Sequence, residues 1–284
     1  MILEKIQRFC ASAVASAGTL AKVAILSRRP APKGGREGEE LVIMGNGPSL
    51  RRDLDARREW LMSRPRMAVN FFANTPDYDA VRPEYYILAD GHFFNGVSAD
   101  RNVADLWRRL ADTDWDMTLF VARKYLDMAR TMTAGNRKIT VKGINLTPVE
   151  GWEWLCRMLI DRGLGMPRPR NVMVPAIMSA VREGFRRIYL CGADHTWTRT
   201  LSVDDENFVV SVQPHFYKDN SEEHTRVRAA YAGLRLHDVL GSMTVAFRSY
   251  WRIAGYARAR GIEIINATPG SMIDAFPREA PVFD

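Results

Sequence analysis

Five short apolar runs in this sequence stop on an amide or a carboxylate: Asn46, Asn70, Asp90, Asp194 and Asn266. One such residue after an apolar run is a turn former. Five of them, at the ends of five runs, point to a polar crevice if those runs are strands with converging ends. The first end is the most specific. The run from Val42 stops on Gly45-Asn46-Gly47-Pro48-Ser49, where the glycines let the backbone pass close to a ligand. A helix starting there would offer N–H groups and a positive dipole end to a phosphate. Asn46 can both donate and accept toward a phosphate, a ribose or a base. The spacing is not that of a dinucleotide fingerprint, and no Gly-Lys-Ser/Thr follows to make a P-loop.

The remaining chemistry-bearing residues are sparse. Of the five histidines, His92 sits between Asp90 and Phe93 and reads as a crevice wall, and His195 directly follows Asp194. His215 and Tyr217 share the stretch SVQPHFYKDN, while His224 and His237 lie in charged, solvent-facing surroundings. The acidic VDDEN segment, with Asp204 to Asn207, has no strand before it and reads as a solvated loop, not a metal motif. Cys10, Cys156 and Cys191 are odd in number and widely spaced. They suggest neither a disulfide framework nor a zinc site, and fit a reducing cytoplasm. No metal ligand set is expected.

The elements that must position these groups alternate. ELVIMG, RMAVNFFAN, RPEYYILADGHFF, WDMTLFVARKYLD, RRIYLCGADHTW and IEIINATPGS each contain a short apolar run bounded by turn residues, and Ile139 to Ile144 adds a short edge strand. PSLRRDLDARREWLMSR, NVMVPAIMSAVREGF and VAFRSYWRIAGYARARG have helical spacing, the aromatics of the last facing the core. Alternating strands and helices imply an α/β fold with a Rossmann-like, doubly wound parallel sheet, which binds ligands beyond the carboxyl ends of its strands. Regularity fails over about 198–241, which reads as an irregular lid in a catalytic domain spanning 37–284.

With 46% hydrophobic and 26% charged residues, the chain can bury a sizeable core. Its net charge of +7 favours anionic partners. Much of that charge lies in residues 1–36, where Lys5, Arg8, Lys22, Arg28, Arg29, Lys33 and Arg36 face the single acid Glu4. FCASAVASAGTLAKVAILS is apolar but rich in Ala, Ser and Gly, and Lys22 interrupts it. It is a marginal spanning helix, and runs past any plausible signal cleavage site. An amphipathic helix on an anionic leaflet fits it, as does a helix packed on the domain or a leader. RRPAPKGGREGEE follows as a linker.

A strand running into GNGPSL resembles the start of the bacterial sialyltransferases of glycosyltransferase family 42 and of related sialyltransferase-like and pterin-diphosphokinase-like Rossmann proteins. MAVNFF, YYILADGHFF, GFRRIYLCGADHTW and IEIINATPGSMIDAF continue the likeness in order, over roughly 40–276. The resemblance implies a GT-A-like sialyltransferase variant of the Rossmann sheet. It also implies inverting, metal-independent transfer of a nonulosonic acid from a CMP-activated donor, with no other cofactor. Carried over by position, Gly45, Asn46, Gly47, Ser49 and Asn70 would meet the nucleotide and its phosphate. Asn171 would meet the nucleotide, and Asn266, Thr268 and Ser271 would face the cytidine. Asp194 matches the family's Gly-x-Asp. Asp90 stands where the family carries an asparagine on the donor, and a carboxylate there repels phosphate unless paired. The family's lid histidine, the base on the acceptor hydroxyl, corresponds to His215, with His195 its rival. Tyr217 or Lys218 would hold the departing phosphate, since His195, Thr196 and Trp197 replace the family's tyrosine.

The resulting expectation is a transferase acting on a glycan or glycolipid acceptor. It would be cytoplasmic and peripheral on the inner face of an anionic membrane, able to form a homo-oligomer and not bound to nucleic acid. Two rivals stay open. One is a Mg²⁺-dependent pterin diphosphokinase-like enzyme holding metal on Asp90 and Asp194. The other is a nucleotide- or RNA-binding module, against which stands the lack of exposed aromatics interleaved with the basic residues.

Overall fold

The computed structural model describes residues 2–36, 38–97, 99–211, 216 and 233–279. All seven runs read as strands pair into one parallel sheet. They are β1 (Glu40–Met44), β2 (Arg66–Val69), β3 (Tyr85–Leu88), β4 (Met117–Ala122), β5 (Ile139–Ile144), β6 (Arg187–Cys191) and, after a separate hairpin, β9 (Glu263–Asn266). The order across the sheet is β5-β4-β3-β2-β1-β6-β9, so β5 is an edge strand, as expected for Ile139 to Ile144. Chain order reverses between β1 and β6, whose register pairs Met44 with Cys191. A doubly wound sheet opens a crevice at such a reversal.

Side chains of β1 point alternately to the two faces of the sheet, and both faces are buried. Leu41 and Ile43 join the core on one face, with α8 (Glu153–Asp161), α9 (Met173–Glu183) and α10 (Leu236–Arg258). Val42 and Met44 join the other, under α2 (Ser49–Ala56), α4 (Asp77–Val81) and α6 (Arg101–Ala111). α6 shows how these helices form. Asp100 caps it by accepting from the Asn102 N–H at 2.9 Å, and Val103, Leu106, Trp107 and Leu110 make its buried face.

Three readings change. The charged stretch after Pro48 is two helices, α2 and α3 (Arg58–Met62), broken at Arg57. The region read as irregular contains an antiparallel hairpin of β7 (Leu201–Val203) and β8 (Val209–Ser211), with Asp204 to Asn207 at its turn, and α10 already begins at Leu236. Trp251 on α10 is not core; it is 52% exposed, its indole donating to Asp274. The remaining short helices are α5 (His92–Asn95) and α7 (Leu126–Met132). The N-terminal segment forms α1 (Ile2–Leu26).

Candidate active site

At the carboxyl ends of β1, β2, β3 and β6 lies a crevice of about 1080 Å³, closed on its far side by the start of α9 and the first turns of α10. Eight of the residues assigned to donor binding or catalysis line it, Gly45, Asn46, Gly47, Asn70, Asp90, Asn171, Asp194 and His195, as does His92, read as a crevice wall. Four of the five polar strand ends converge there; Asn266, after β9, does not line the crevice.

What approaches the glycine turn is the protein itself. A Cβ on Gly47 would collide with the Asp194 carboxylate and lie 2.7 Å from the Gly192 carbonyl; one on Gly45 would lie 2.5 Å from the same carbonyl. The Gly47 N–H already donates to Gly192 O at 2.8 Å, and Gly45 N–H to Cys191 O at 2.8 Å. Gly192 reciprocates: its φ is +63°, and a side chain there would strike the Gly45 carbonyl. Asp194 then accepts from the Ser49 hydroxyl at 2.7 Å and from the Ser49 backbone N–H. It caps α2 and fills the anion position that the sequence assigned to a phosphate. Burial pushes the Asp194 carboxyl up, with the Ser49 bonds opposing. A metal on Asp194 Oδ2 would compete with the Ser49 hydroxyl for that oxygen. Among the described residues no group of three or more His, Cys, Asp or Glu is placed to hold a metal ion.

Two amides carry the unfilled hydrogen-bonding capacity. Asn46 is 9% exposed, and its Nδ2 donates to Val69 O at 3.1 Å, leaving Oδ1 a buried acceptor with no partner among the described residues. Asn171 is the complement. Its Oδ1 accepts from Met173 N–H at 3.0 Å and from the Tyr250 hydroxyl at 2.9 Å, leaving Nδ2 a buried donor with no partner among them. Buried polar groups are usually paired; here one acceptor and one donor without a partner among the described residues belong to two residues that line a single crevice.

His195 belongs to the apparatus behind Asn171. Its Nε2 lies 2.6 Å from the Tyr250 hydroxyl. That hydroxyl's proton goes to Asn171, so the imidazole must donate from Nε2. The rings of Trp197, Phe247 and Tyr250 surround it, and burial lowers its pKa to about 3. A group this weakly basic is a poor proton acceptor at neutral pH. His195 therefore positions the Asn171 amide through Tyr250 and does not suit the base role expected of it.

His92 is better equipped than its sequence suggested. It lines the crevice, its Nε2 pairs with Asp100 Oδ2 at 2.9 Å, and its backbone N–H is held by Asp90 Oδ1 at 2.8 Å. A carboxylate behind an imidazole fixes the orientation of the ring. Arg170, next to Asn171, also lines the crevice and has no ion-pair partner among the described residues.

The fold has a solved counterpart. Superposition covers 92% of this chain and 38% of the MAf glycosyltransferase from Magnetospirillum magneticum AMB-1, with a TM-score of 0.52 and 12% sequence identity. The chain thus has a glycosyltransferase-like fold and spans well under half the length of that protein. No family model and no curated protein matches the sequence, so the likeness lies in the fold alone and does not reach the family 42 sialyltransferases in particular.

Four expected ligand contacts are not in the crevice lining. Ser49 is spent on Asp194. Asn266 donates to Ile273 O at 3.0 Å and accepts from Thr268 N–H at 3.2 Å. Thr268 bridges Leu190 O and Ala193 N–H, and Ser271 donates to Ala193 O at 2.6 Å. Asn266, Thr268 and Ser271 are each at most 3% exposed. Thr268 and Ser271 lace the turn after β9 to the Gly192–Asp194 loop, Asn266 braces that turn from within, and all three lie outside the crevice lining. His215, Tyr217, Lys218 and His224 lie outside the described residues. Phe216 is described: its N–H donates to Asn46 O at 3.1 Å, and its ring stacks on Phe72.

Asp53, buried in the charged-looking RRDLDARR, was not foreseen. Fully inaccessible on α2, it lies 3.6 Å from Arg57 Nε and close to Cys191 and Asp194. Burial raises its pKa to about 6, against the pull of Arg57 and Arg52.

Proposed function

We propose that this chain is a glycosyltransferase that binds a CMP-activated, sialic-acid-like sugar in the crevice and transfers it with inversion to a glycan or glycolipid acceptor, without a metal. The observation that carries the reading is the pair of orphaned amides, Asn46 Oδ1 and Asn171 Nδ2, lining the crevice of a glycosyltransferase-like fold. Asn46 Oδ1 suits a hydroxyl or amino group of the donor, not its phosphate, because it can only accept. Asn171 Nδ2 suits a phosphate or carbonyl oxygen, with the Arg170 guanidinium beside it to balance charge on the departing nucleotide. In the transfer, the acceptor hydroxyl attacks the anomeric carbon, the bond from that carbon to the phosphate oxygen breaks, and CMP leaves with the electron pair. A base takes the hydroxyl proton. His92, held by Asp100, is our assignment for it; His215 with Tyr217 is the assignment implied by resemblance.

α1 is long and apolar enough to associate with a membrane, which supports action on acceptors made at the inner face of a bilayer. The deciding experiment is titration calorimetry with CMP, UDP, GDP and ATP, with and without Mg²⁺, followed by transfer assays in EDTA. CMP binding without metal is expected. Binding of ATP alone, and only with Mg²⁺, would replace this reading with the diphosphokinase. His92→Ala should lower kcat by roughly 10²–10⁴-fold with CMP affinity retained. If His215→Ala alone is inactive, the base is His215.

A further inference from the structure

In its second half α1 turns the hydroxyls of Ser16 and Thr19 toward the domain, while most of its apolar residues are exposed. Ser16 and Thr19 are 2% and 0% exposed. The Ser16 hydroxyl accepts from Trp152 N–H at 2.9 Å. Thr19 donates to Glu150 O at 2.8 Å and accepts from Glu150 N–H at 2.9 Å. Lys22, which interrupts the apolar run, is on the same side and attracted to the Glu150 carboxylate. Just beyond the helix, Ser27 donates to Leu164 O at 2.5 Å, and Arg28 and Asn145 exchange bonds of 3.0 and 2.8 Å. Away from these contacts, Val14 and Ile25 on the opposite face are 73% and 67% exposed, and Leu20 on the flank is 49% exposed. Ordinary surface helices have the reverse arrangement.

A second segment adds exposed apolar surface beside the clamp. Phe9 lies 6.0 Å from Trp152, which stacks at 6.2 Å on Trp154, itself 63% exposed. Tryptophans beside an apolar helix are the signature of a membrane–water boundary. Arg28 and Arg29 follow the helix, and Glu4 is the single acid in residues 1–36.

We propose that α1 lies in the plane of an anionic bilayer, its outward face and Trp154 sunk to the headgroup–acyl boundary while the domain stays clamped to its inward face. This rests on the membrane association proposed above and specifies its mode. The clamp argues against spanning. A helix of 25 residues is about 37 Å long and could cross a bilayer, but Ser16 and Thr19 would then sit near its centre. They would carry with them the Glu150 loop and its ion pairs to Arg168 at 2.7 Å and Arg252 at 3.5 Å. Burying that network in hydrocarbon is prohibitive.

The test uses the full chain with an amino-terminal epitope tag and a Cys156→Ser background, so that a polarity-sensitive dye labels the exposed Cys10 while Cys191 stays buried. Vesicles of phosphatidylcholine and phosphatidylglycerol in equal parts are compared with phosphatidylcholine alone. Expected are tighter binding to the anionic vesicles, dye quenching by shallow but not deep spin-labelled lipids, and a tag that external protease removes. Trp154→Ser should weaken binding about tenfold. A protected tag with deep quenching would mean that α1 spans, and binding indifferent to Trp154 would remove the aromatic row from the interface; either overturns the proposed mode while leaving membrane association intact. Absence of binding overturns the association itself, as does a lipid-free dimer that already buries the dye.

Discussion

Two strand-end turns of this sheet look alike in sequence and differ in what they leave undone. The turn after β1, Gly45-Asn46-Gly47-Pro48-Ser49, and the turn after β9, Asn266 to Ser271, each combine an asparagine with glycine, proline and a hydroxyl. After β9 the polar side chains of Asn266, Thr268 and Ser271 are matched internally, to Ile273, Leu190, Ala193 and the turn's own backbone. After β1 the backbone is matched, through Gly192, but Asn46 keeps an acceptor empty at the wall of the crevice. One turn is a fastening and the other a socket. Polar residue type does not separate them; the hydrogen bonds left unmade do.

The largest effect should come from the loop that both turns share. Gly192 is in the left-handed region and its missing side chain leaves room for the Gly45 carbonyl. Gly192→Ala adds backbone strain to a clash with an atom that cannot rotate away, so a destabilisation of roughly 3–5 kcal/mol is expected. Chemical denaturation would check it; a loss below about 1 kcal/mol would mean the loops can separate.

Asn266→Ala should come next, at about 2–4 kcal/mol, because the Ile273 carbonyl and the Thr268 N–H would both be left buried and unpaired. Nucleotide affinity per folded molecule should not change. A variant of normal stability with impaired binding would make this turn a socket as well.

The seven strands were legible because a strand buried on both faces needs an unbroken apolar run, and turn residues must close it. The crevice was legible for the same reason: parallel strands all end on one side. What hydrogen-bonds to what was not legible. Asp194 looks like a ligand contact and serves as the cap of α2, a pairing across 145 residues. His92 and Asp100 meet only because the intervening turn of α5 folds back. Asp53 sits among five arginines from Arg51 to Arg64 that suggested a solvated face, yet its own position on α2 points into the core.

That buried carboxylate gives the pH dependence. A carboxylic acid whose pKa rises from 3.8 to about 6 on folding favours the native state when protonated. Its contribution is fully present below about pH 4, is lost as pH climbs to about 6, and stays lost above. Asp53→Asn removes the titration, so the variant should be more stable than the parent by about 2–3 kcal/mol near neutrality and equal to it near pH 4. Denaturation midpoints measured across that range test the sign. A constant difference would mean that Asp53 ionises as freely in the folded protein as in the unfolded one.

Asn46 should give the smallest change in stability and the sharpest separation of the two turns. Asn46→Ala removes one good bond, Nδ2 to Val69 O, which is worth roughly 1 kcal/mol. It also removes an acceptor that was dehydrated without compensation, which returns about as much. The net effect on folding should therefore fall within about 0.5 kcal/mol of zero, against the several expected at Asn266. Affinity for the nucleotide should drop about tenfold or more, since the ligand loses the partner that the fold had kept free. Asn46→Asp sharpens the point. It keeps an acceptor at the crevice but replaces the donor to Val69 with a second oxygen, so it should cost stability that Asn46→Ala does not. If alanine here proves as destabilising as at Asn266, Asn46 is a fastening too, and the empty acceptor is filled by the protein itself.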